Sequence, residues 1–261
     1  MGAAVARCFA AAGANLVLVA RRLQNLERVK AELGGAAVEI VPMDVTDHEA
    51  CVELFATTER RFGKVDVLVN NAGYHQRGFV EKVDAAGLGR MIDVNLKAPI
   101  ILSRLAIPYL RKAGGGAIIN VASLAGRTPV PGAAVYSASK FGLRAFTYAL
   151  GDELAGSGIK LAVVSPGPID TGFIMSNLDA VADITFSQPL SSAQQVAEEI
   201  MELAVNEKRE RSMPPSSGLL TTASYLFPGL GRALRPALVR KGRKVKERLR
   251  ASMREKAQKN P

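Results

Sequence analysis

The feature that most narrows what this chain can fold into is an alternation of short apolar runs with longer segments of helical period. Leu16-Val17-Leu18-Val19 and the runs at 37–41, 65–69, 117–121 and 159–164 are short and rich in Val, Ile, Leu and Ala. Near-continuous apolar runs of this length suit strands buried on both faces, as in a parallel sheet. An antiparallel strand open to water would alternate apolar and polar residues instead. Helices are expected at 3–12, 24–33, 47–62, 135–155 and 191–206, with Gly13, Gly34-Gly35 and Gly63 as stops. A long helical region runs from about 84 to 112, with breaks expected near Asn95 and Pro99. Strands alternating with such helices predict an α/β fold: a doubly wound, Rossmann-like parallel sheet covered on both faces. Ligands of that architecture sit beyond the carboxyl ends of the strands.

With 261 residues the chain accommodates one large domain of this kind. Its net charge of +10 is unevenly placed. Residues 232–261 carry twelve Lys and Arg against Glu247 and Glu255, so residues 1–231 balance at 22 of each sign. The basicity therefore belongs to a tail, and the expected division is a catalytic domain over 1–213 and a basic, apolar tail over 214–261. Met1 to Arg7 lacks the charged start and apolar run of a signal peptide, and no stretch reads as a membrane span, so a cytoplasmic protein is expected. Cys8 and Cys51 show no redox or metal spacing and are read as buried thiols, while His48 and His75 stand alone, so no metal site is expected.

The chemistry concentrates in Tyr136-Ser137-Ala138-Ser139-Lys140. On a helix, Tyr136 and Lys140 are four residues apart and share a face. An ammonium there favours phenolate over phenol and is expected to lower the tyrosine pKa. Ser123 ends the 117–121 strand, Asn95 lies in the expected helix break, and Asn70-Asn71-Ala72-Gly73 follows the 65–69 strand. Ser165-Pro166-Gly167-Pro168-Ile169-Asp170-Thr171 follows the 159–164 strand. Each taken alone could be a turn or a cap. In this order and spacing they resemble the classical short-chain dehydrogenase/reductase family, over residues 1 to about 213.

The resemblance implies a nicotinamide-dependent oxidoreductase acting on a carbonyl/alcohol pair. It implies Tyr136 as general acid/base, Lys140 as the group that tunes it and binds the nicotinamide ribose, and Ser123 as donor to the substrate carbonyl. Asn95 would support a water-linked proton path to the lysine. Asn71, Ala72 and Gly73 would line the adenosine side, and Pro166, Gly167, Ile169 and Thr171 would hold the nicotinamide carboxamide. Asp44-Val45 resembles the family's adenine-contacting pair. The strand at 16–19 runs into Arg21-Arg22 rather than an acid, and a guanidinium fork suits a 2′-phosphate, so the expected cofactor is NADP(H).

The family pattern opens with a strand and the turn T-G-x-x-x-G-[IM]-G, whereas this chain opens at Met1-Gly2, with Gly2 aligned to the last glycine. The first strand and glycine-rich loop are thus expected to be missing, with a chain start assigned too late, a poorly folded product and weak NADPH binding. In the tail, Leu219, Leu220, Tyr225, Leu226, Phe227, Leu230, Leu234 and Leu238 mix with Arg232, Arg235, Arg240 and Lys241. Pro228 and Pro236 are expected to cut it into short pieces before a basic helix with the stripe Val245, Leu249 and Met253. Such a tail suits an anchor on anionic lipid or a solvated or oligomer-packed terminus; nucleic acid is not expected. A homo-oligomer is expected. Phe173, Ile174, Met175, Leu178, Ile184 and Phe186 hint at a lipophilic substrate, with steroid-like, fatty acyl and xenobiotic carbonyls all open. The rival is a non-catalytic scaffold or inactive product.

Overall fold

The computed structural model describes residues 1–171, 174 and 178–259, so Phe173 and Met175 of the substrate-shaping segment lie outside the described residues. In chain order the elements are α1 (Gly2–Ala11), β1 (Leu16–Ala20), α2 (Leu23–Glu32), β2 (Val38–Pro42), α3 (His48–Phe62) and β3 (Val67–Asn70). There follow α4 (Ala85–Ile92), α5 (Ala98–Lys112), β4 (Gly116–Val121), α6 (Ala134–Glu153), β5 (Ile159–Pro166) and the two-residue strands β6 (Ile169–Asp170) and β7 (Ser191–Ser192). The last four are α7 (Ala193–Val205), β8 (Glu210–Met213), α8 (Pro215–Leu226) and α9 (Pro228–Lys259).

A four-stranded parallel sheet runs in the order β3-β4-β5-β8, and β1 and β2 form a separate parallel pair. No backbone hydrogen bond joins β1 to β3 among the described residues. Strand side chains alternate between faces, so β4 sends Ala117, Ile119 and Val121 to α1 and α7 and Ile118 to α3, α5 and α6. Both faces are buried, as the unbroken apolar runs require. Helix α1 bridges the two sheets: Ala4, Val5 and Cys8 pack on the larger core, Ala6 and Ala10 on β1 and β2.

Local chemistry sets several boundaries. Asp47 Oδ1 accepts from the Ala50 amide at 3.1 Å to start α3, and Gly63, at φ 80°, ends it in the left-handed conformation. Ser192 and Gln195 form a reciprocal capping box at α7.

Three expectations needed correction. The helix around Asn95 is not interrupted: α4 runs into α5 through a π turn, Asp93–Lys97, which takes an extra residue without leaving helical geometry. Pro99 falls next to that turn, where the hydrogen-bond ladder is already displaced and its missing N–H is tolerated. Strand β8 was not anticipated, because Glu210-Arg211-Ser212-Met213 carries no apolar run. Finally, α9 continues through Pro236, which is exposed, so water can serve the carbonyl left without a donor.

Part of the basic, apolar segment 214–261 packs on the body. Val245 and Leu249 lie against Ile174, Leu178, Val181 and Phe186. The buried Lys246 Nζ donates to Val181 O at 2.7 Å, Asp179 O at 3.2 Å and Asp183 Oδ1 at 3.3 Å. Gly242 makes the close approach: a Cβ there would lie 1.8 Å from the Asp183 carbonyl oxygen. Leu178 and Phe186 are thereby spent on packing, as are two of the three stripe residues; Met253 is exposed.

Candidate active site

Strand β4 ends at Val121, and the chain leaves it through Ser123, whose Oγ accepts from the Ala125 amide at 3.2 Å and donates to Pro166 O at 3.4 Å. The turn after Ser123 presses against α6 because Gly126 has no Cβ, which would stand 2.6 Å from the Lys140 carbonyl oxygen. That approach brings Ser123 and Tyr136 together on one wall, near enough for the serine hydroxyl to pull the phenol's pKa down. Lys140 is buried on the same face of α6, its Nζ donating to Val121 O at 2.8 Å and lying 5.9 Å from the Tyr136 ring centroid.

Burial lowers Lys140 to about 8. Tyr136 departs from the simple expectation: burial pushes its pKa up, while the Ser123 hydrogen bond and the Arg77 charge pull the other way. Removing the phenolate from water costs more here than Ser123 and Arg77 return. His75 stacks on Tyr136, with ring centroids 4.3 Å apart and planes 14° from parallel. Its pKa is lowered to about 4, by burial and then by Arg77, so the imidazole is neutral near pH 7.

Asn95 is fully buried in the π turn and fixes the turn after β3: its Nδ2 donates to Tyr74 O at 2.8 Å, and its Oδ1 accepts from the Tyr74 amide at 2.9 Å. A third contact runs from Nδ2 to Ser139 Oγ at 3.4 Å. Gly73 lies over this pair, with room for a Cβ only 3.0 Å from Asn95 Oδ1 and 3.6 Å from Lys140 Nζ. At the other end, Gly2 approaches Asn71 so closely that a Cβ would stand 3.0 Å from its Nδ2.

These residues open onto one cavity of about 1070 Å³. Of the residues expected to form the site, Gly2, Asn71, Gly73, Ser123, Tyr136, Lys140, Pro166, Gly167, Ile169 and Thr171 line it. Asn95 lies behind the wall; Ala72, Arg21, Arg22, Asp44 and Val45 are not part of the lining. Arg21 and Arg22 are exposed beyond β1, and the charge of Arg21 is felt at Asp44 and Tyr74. Asp44 holds its own turn, its Oδ1 accepting from the Thr46 amide at 3.0 Å and hydroxyl at 2.8 Å. Val45 O accepts from Cys51 Sγ at 3.4 Å.

Some contributors were missed from sequence. His75 was read only as a histidine without metal partners. Asn120, the polar residue inside an otherwise apolar strand, was the available signal for a buried relay: Asn70 Nδ2 donates to its Oδ1 at 2.8 Å, and its Nδ2 donates to Thr147 Oγ1 at 2.9 Å. The carboxylate of Glu210 gave no signal at all. It accepts from Arg127, from Arg144 Nη2 at 2.8 Å and from Tyr148 OH at 2.8 Å, joining β8 to α6.

The chain's own donors and spaces fit a nicotinamide dinucleotide. Asn71 Oδ1 is buried without a hydrogen-bond partner, Gly73 leaves a cradle that a Cβ would fill, and α1 points its amino end at the same cavity. This architecture and site define a dinucleotide-dependent α/β oxidoreductase. Residues 1–181 match the model of the short chain dehydrogenase family, and the chain belongs to that family. An uncharacterized oxidoreductase of Staphylococcus saprophyticus is 37% identical over 205 residues, covering 77% of this chain and 83% of the relative. An oxidoreductase of Botryotinia fuckeliana is 31% identical over 189 residues, covering 72% and 68%. Among solved structures, a short-chain dehydrogenase from Streptomyces avermitilis superposes with a TM-score of 0.74 at 26% identity, over 89% of this chain and 90% of that one. The chain is therefore an oxidoreductase using a nicotinamide cofactor on a small-molecule substrate.

Proposed function

We propose that this chain is an NADPH-dependent reductase/dehydrogenase of lipophilic carbonyl or alcohol compounds. The observation that carries the reading is the convergence of Ser123, Tyr136 and Lys140 on one wall of a single large cavity. Asn71, Gly73, Lys140 and the 166–171 segment would hold the cofactor, which supplies or accepts the hydride when bound. In reduction, Ser123 donates a hydrogen bond to the substrate oxygen as negative charge grows on it. Tyr136 gives its proton to that oxygen, and its raised pKa keeps the proton available at neutral pH. In oxidation the same oxygen returns the proton. Lys140 steadies the phenolate left behind, and Asn95 positions the turn that carries Gly73.

The NADPH preference rests on Arg21 and Arg22 beyond β1, where no acid stands to meet a ribose hydroxyl. The test is a panel of apolar aldehydes and ketones with each reduced cofactor, followed by loss of reduced-nicotinamide absorbance. The reading expects turnover with NADPH, and it expects Arg21→Ala to weaken NADPH by about tenfold while leaving NADH nearly unchanged, one charge-assisted phosphate contact being lost. Equal losses would refute the phosphate-reading role.

A peripheral membrane position is favoured by one observation. Leu226 and Phe227 are 65% and 63% exposed at the α8–α9 corner, beside exposed Leu230 and ahead of the basic face of α9. None of the described helices is long and apolar enough to cross a membrane, so this surface would lie on lipid. The reading expects the whole chain to sediment with phosphatidylglycerol vesicles at low salt, and Leu226→Ser/Phe227→Ser to abolish it. A homo-oligomer belongs to the same reading, and light scattering of the purified chain tests it.

A further inference from the structure

We infer that α9 is the anion-reading wall of the substrate cavity, and that the substrate is an apolar carbonyl or alcohol compound bearing a carboxylate or phosphate at the end away from the reacting carbon. This rests on the proposed reductase reading and names its substrate class.

The inference starts from one face of α9. Pro228, Gly231, Arg232, Arg235 and Leu238 line the cavity that holds Ser123 and Tyr136. Counted from Pro228, those spacings are three, four, seven and ten residues, the period of a single helix face. The same face continues through Gly242, Val245, Lys246 and Leu249, which fasten the helix to Ile174 and to residues 178–187. The carboxyl half of α9 is thus the anchor, and the amino half overhangs the cavity.

Charge then distinguishes this wall. Two acids line the cavity, Asp179 and Asp183, and both are already taken. Asp183 pairs with Arg243 and Lys246 at 3.3 Å each, and Asp179 pairs with Arg250. Arg232 and Arg235 have no ion-pair partner among the described residues, and no carboxylate of the cavity is left for them. Two guanidiniums beside a largely apolar space, which includes Leu124, Ile174, Ile184 and Leu220, form a receptor for an anion carried on an apolar body.

The cofactor does not account for these arginines. The dinucleotide residues Gly2 and Asn71 belong to α1 and the turn after β3, and Arg21 follows β1. Helix α9 packs on α8 and on residues 183–187, and α8 packs on β8, at the opposite edge of the sheet from β3. Lys140 and the 166–171 segment, which would hold the nicotinamide, belong to α6 and to the end of β5, and β5 lies between those two edges.

The test compares matched ligands on the whole chain and on Arg232→Gln/Arg235→Gln. Ten-carbon ω-oxo acid and its methyl ester serve as substrates with NADPH. Decanoate and decanamide serve as binding probes by calorimetry, a readout independent of turnover. The native protein is expected to favour the acid over the ester in kcat/KM, and decanoate over decanamide in affinity, by about tenfold or more. The double variant is expected to bring both ratios to near one while keeping the native rate on the ester. Equal affinity of the native protein for decanoate and decanamide would overturn the inference. So would loss on acid and ester alike, which would mark a general defect of the cavity. Discrimination in binding with no turnover of either substrate would uphold the anion site and count against the reductase reading. Phosphatidylglycerol vesicles form the last arm: if the double variant loses vesicle binding yet keeps its decanoate preference, the arginines serve a lipid surface and the inference fails.

Discussion

Tyr136 is held between a stacked neutral imidazole and a buried lysine, and the consequences at the residue scale can be worked out from those neighbours. Tyr136→Phe keeps the ring on His75 and removes the hydroxyl that carries the proton. Turnover should fall by about 10²-fold or more, the usual effect of losing a general acid, with thermal stability nearly unchanged. Steady-state rates beside a melting curve check this, and turnover within a few-fold of native would remove Tyr136 from the mechanism. His75 gives a pH signature. Its folded pKa of about 4 lies below the ordinary 6.5, so the unfolded chain binds the extra proton first and stability falls as pH drops from about 6.5 to 4. His75→Phe should flatten that part of the stability curve in denaturant titrations, and an unchanged slope would mean the imbalance lies elsewhere. That Ser123, Tyr136, Lys140 and Gly73 would share one cavity was legible in the sequence, because their order and spacing resemble the family's pattern. The stacking of His75 was not, since it depends on where the turn after β3 meets α6. Nor was the raised Tyr136 pKa, because burial is a property of the folded cavity rather than of an i, i+4 pair.

Elements were legible where burial is symmetrical and obscure where polar contacts do the joining. The apolar runs of β4 and β5 announced buried parallel strands, whereas β8 is an edge strand held by its ion pairs. Glu210 accepts from Arg127, Arg144 and Tyr148 together, and those hydrogen bonds hold its carboxyl at about 2 against the desolvation that would raise it. A depressed carboxylate adds stability that is complete above its unfolded pKa, near 4.5, and is lost as pH falls from there towards 2. Glu210→Gln should remove that limb, and it should cost about 3 kcal/mol at pH 7, because two arginines lose a shared partner in a largely buried setting. Urea titrations across pH 2–7 would show it, and an unaltered acid limb would refute the assignment. Helix α9 makes the complementary case. Proline suggested fragmentation, yet an exposed Pro236 leaves the helix intact, and Gly242 allows it to seat on Asp183. Gly242→Ala should lift α9 from the cavity, lowering kcat/KM for large substrates several-fold while leaving NADPH affinity unchanged. A loss confined to cofactor binding would place α9 elsewhere in the mechanism.

At the scale of the whole molecule, the doubly wound architecture was readable from alternation alone, but the division of the sheet decides how its stability is distributed. Among the described residues, strands β1 and β2 pair only with each other, and β3 begins a separate four-stranded sheet. A parallel pair has few ladder bonds, and two-stranded units rely on packing for their stability. Here that packing comes from α1, whose Ala6 and Ala10 meet the pair while Ala4, Val5 and Cys8 meet the larger core, and from Val17, Val19 and Val41 against the α3–α5 side. All five β1 side chains are only partly buried, whereas five of six in β4 are buried. Opening free energies within one protein range from near zero up to the global value, and they follow local burial and pairing. The amides of Leu16–Ala20 should therefore exchange at least about tenfold faster than those of Gly116–Val121, through an opening that frees β1, α2 and β2 without unfolding β4 and β5. Saturating NADPH should narrow the gap, because binding only the closed form stabilises it by an amount that grows with the logarithm of the ligand excess, and Arg21 at the end of β1 would be part of what it binds. Hydrogen exchange read by mass spectrometry, with and without cofactor, resolves the two regions. Identical protection in β1 and β4 would mean that packing through α1 alone makes the two sheets one cooperative unit.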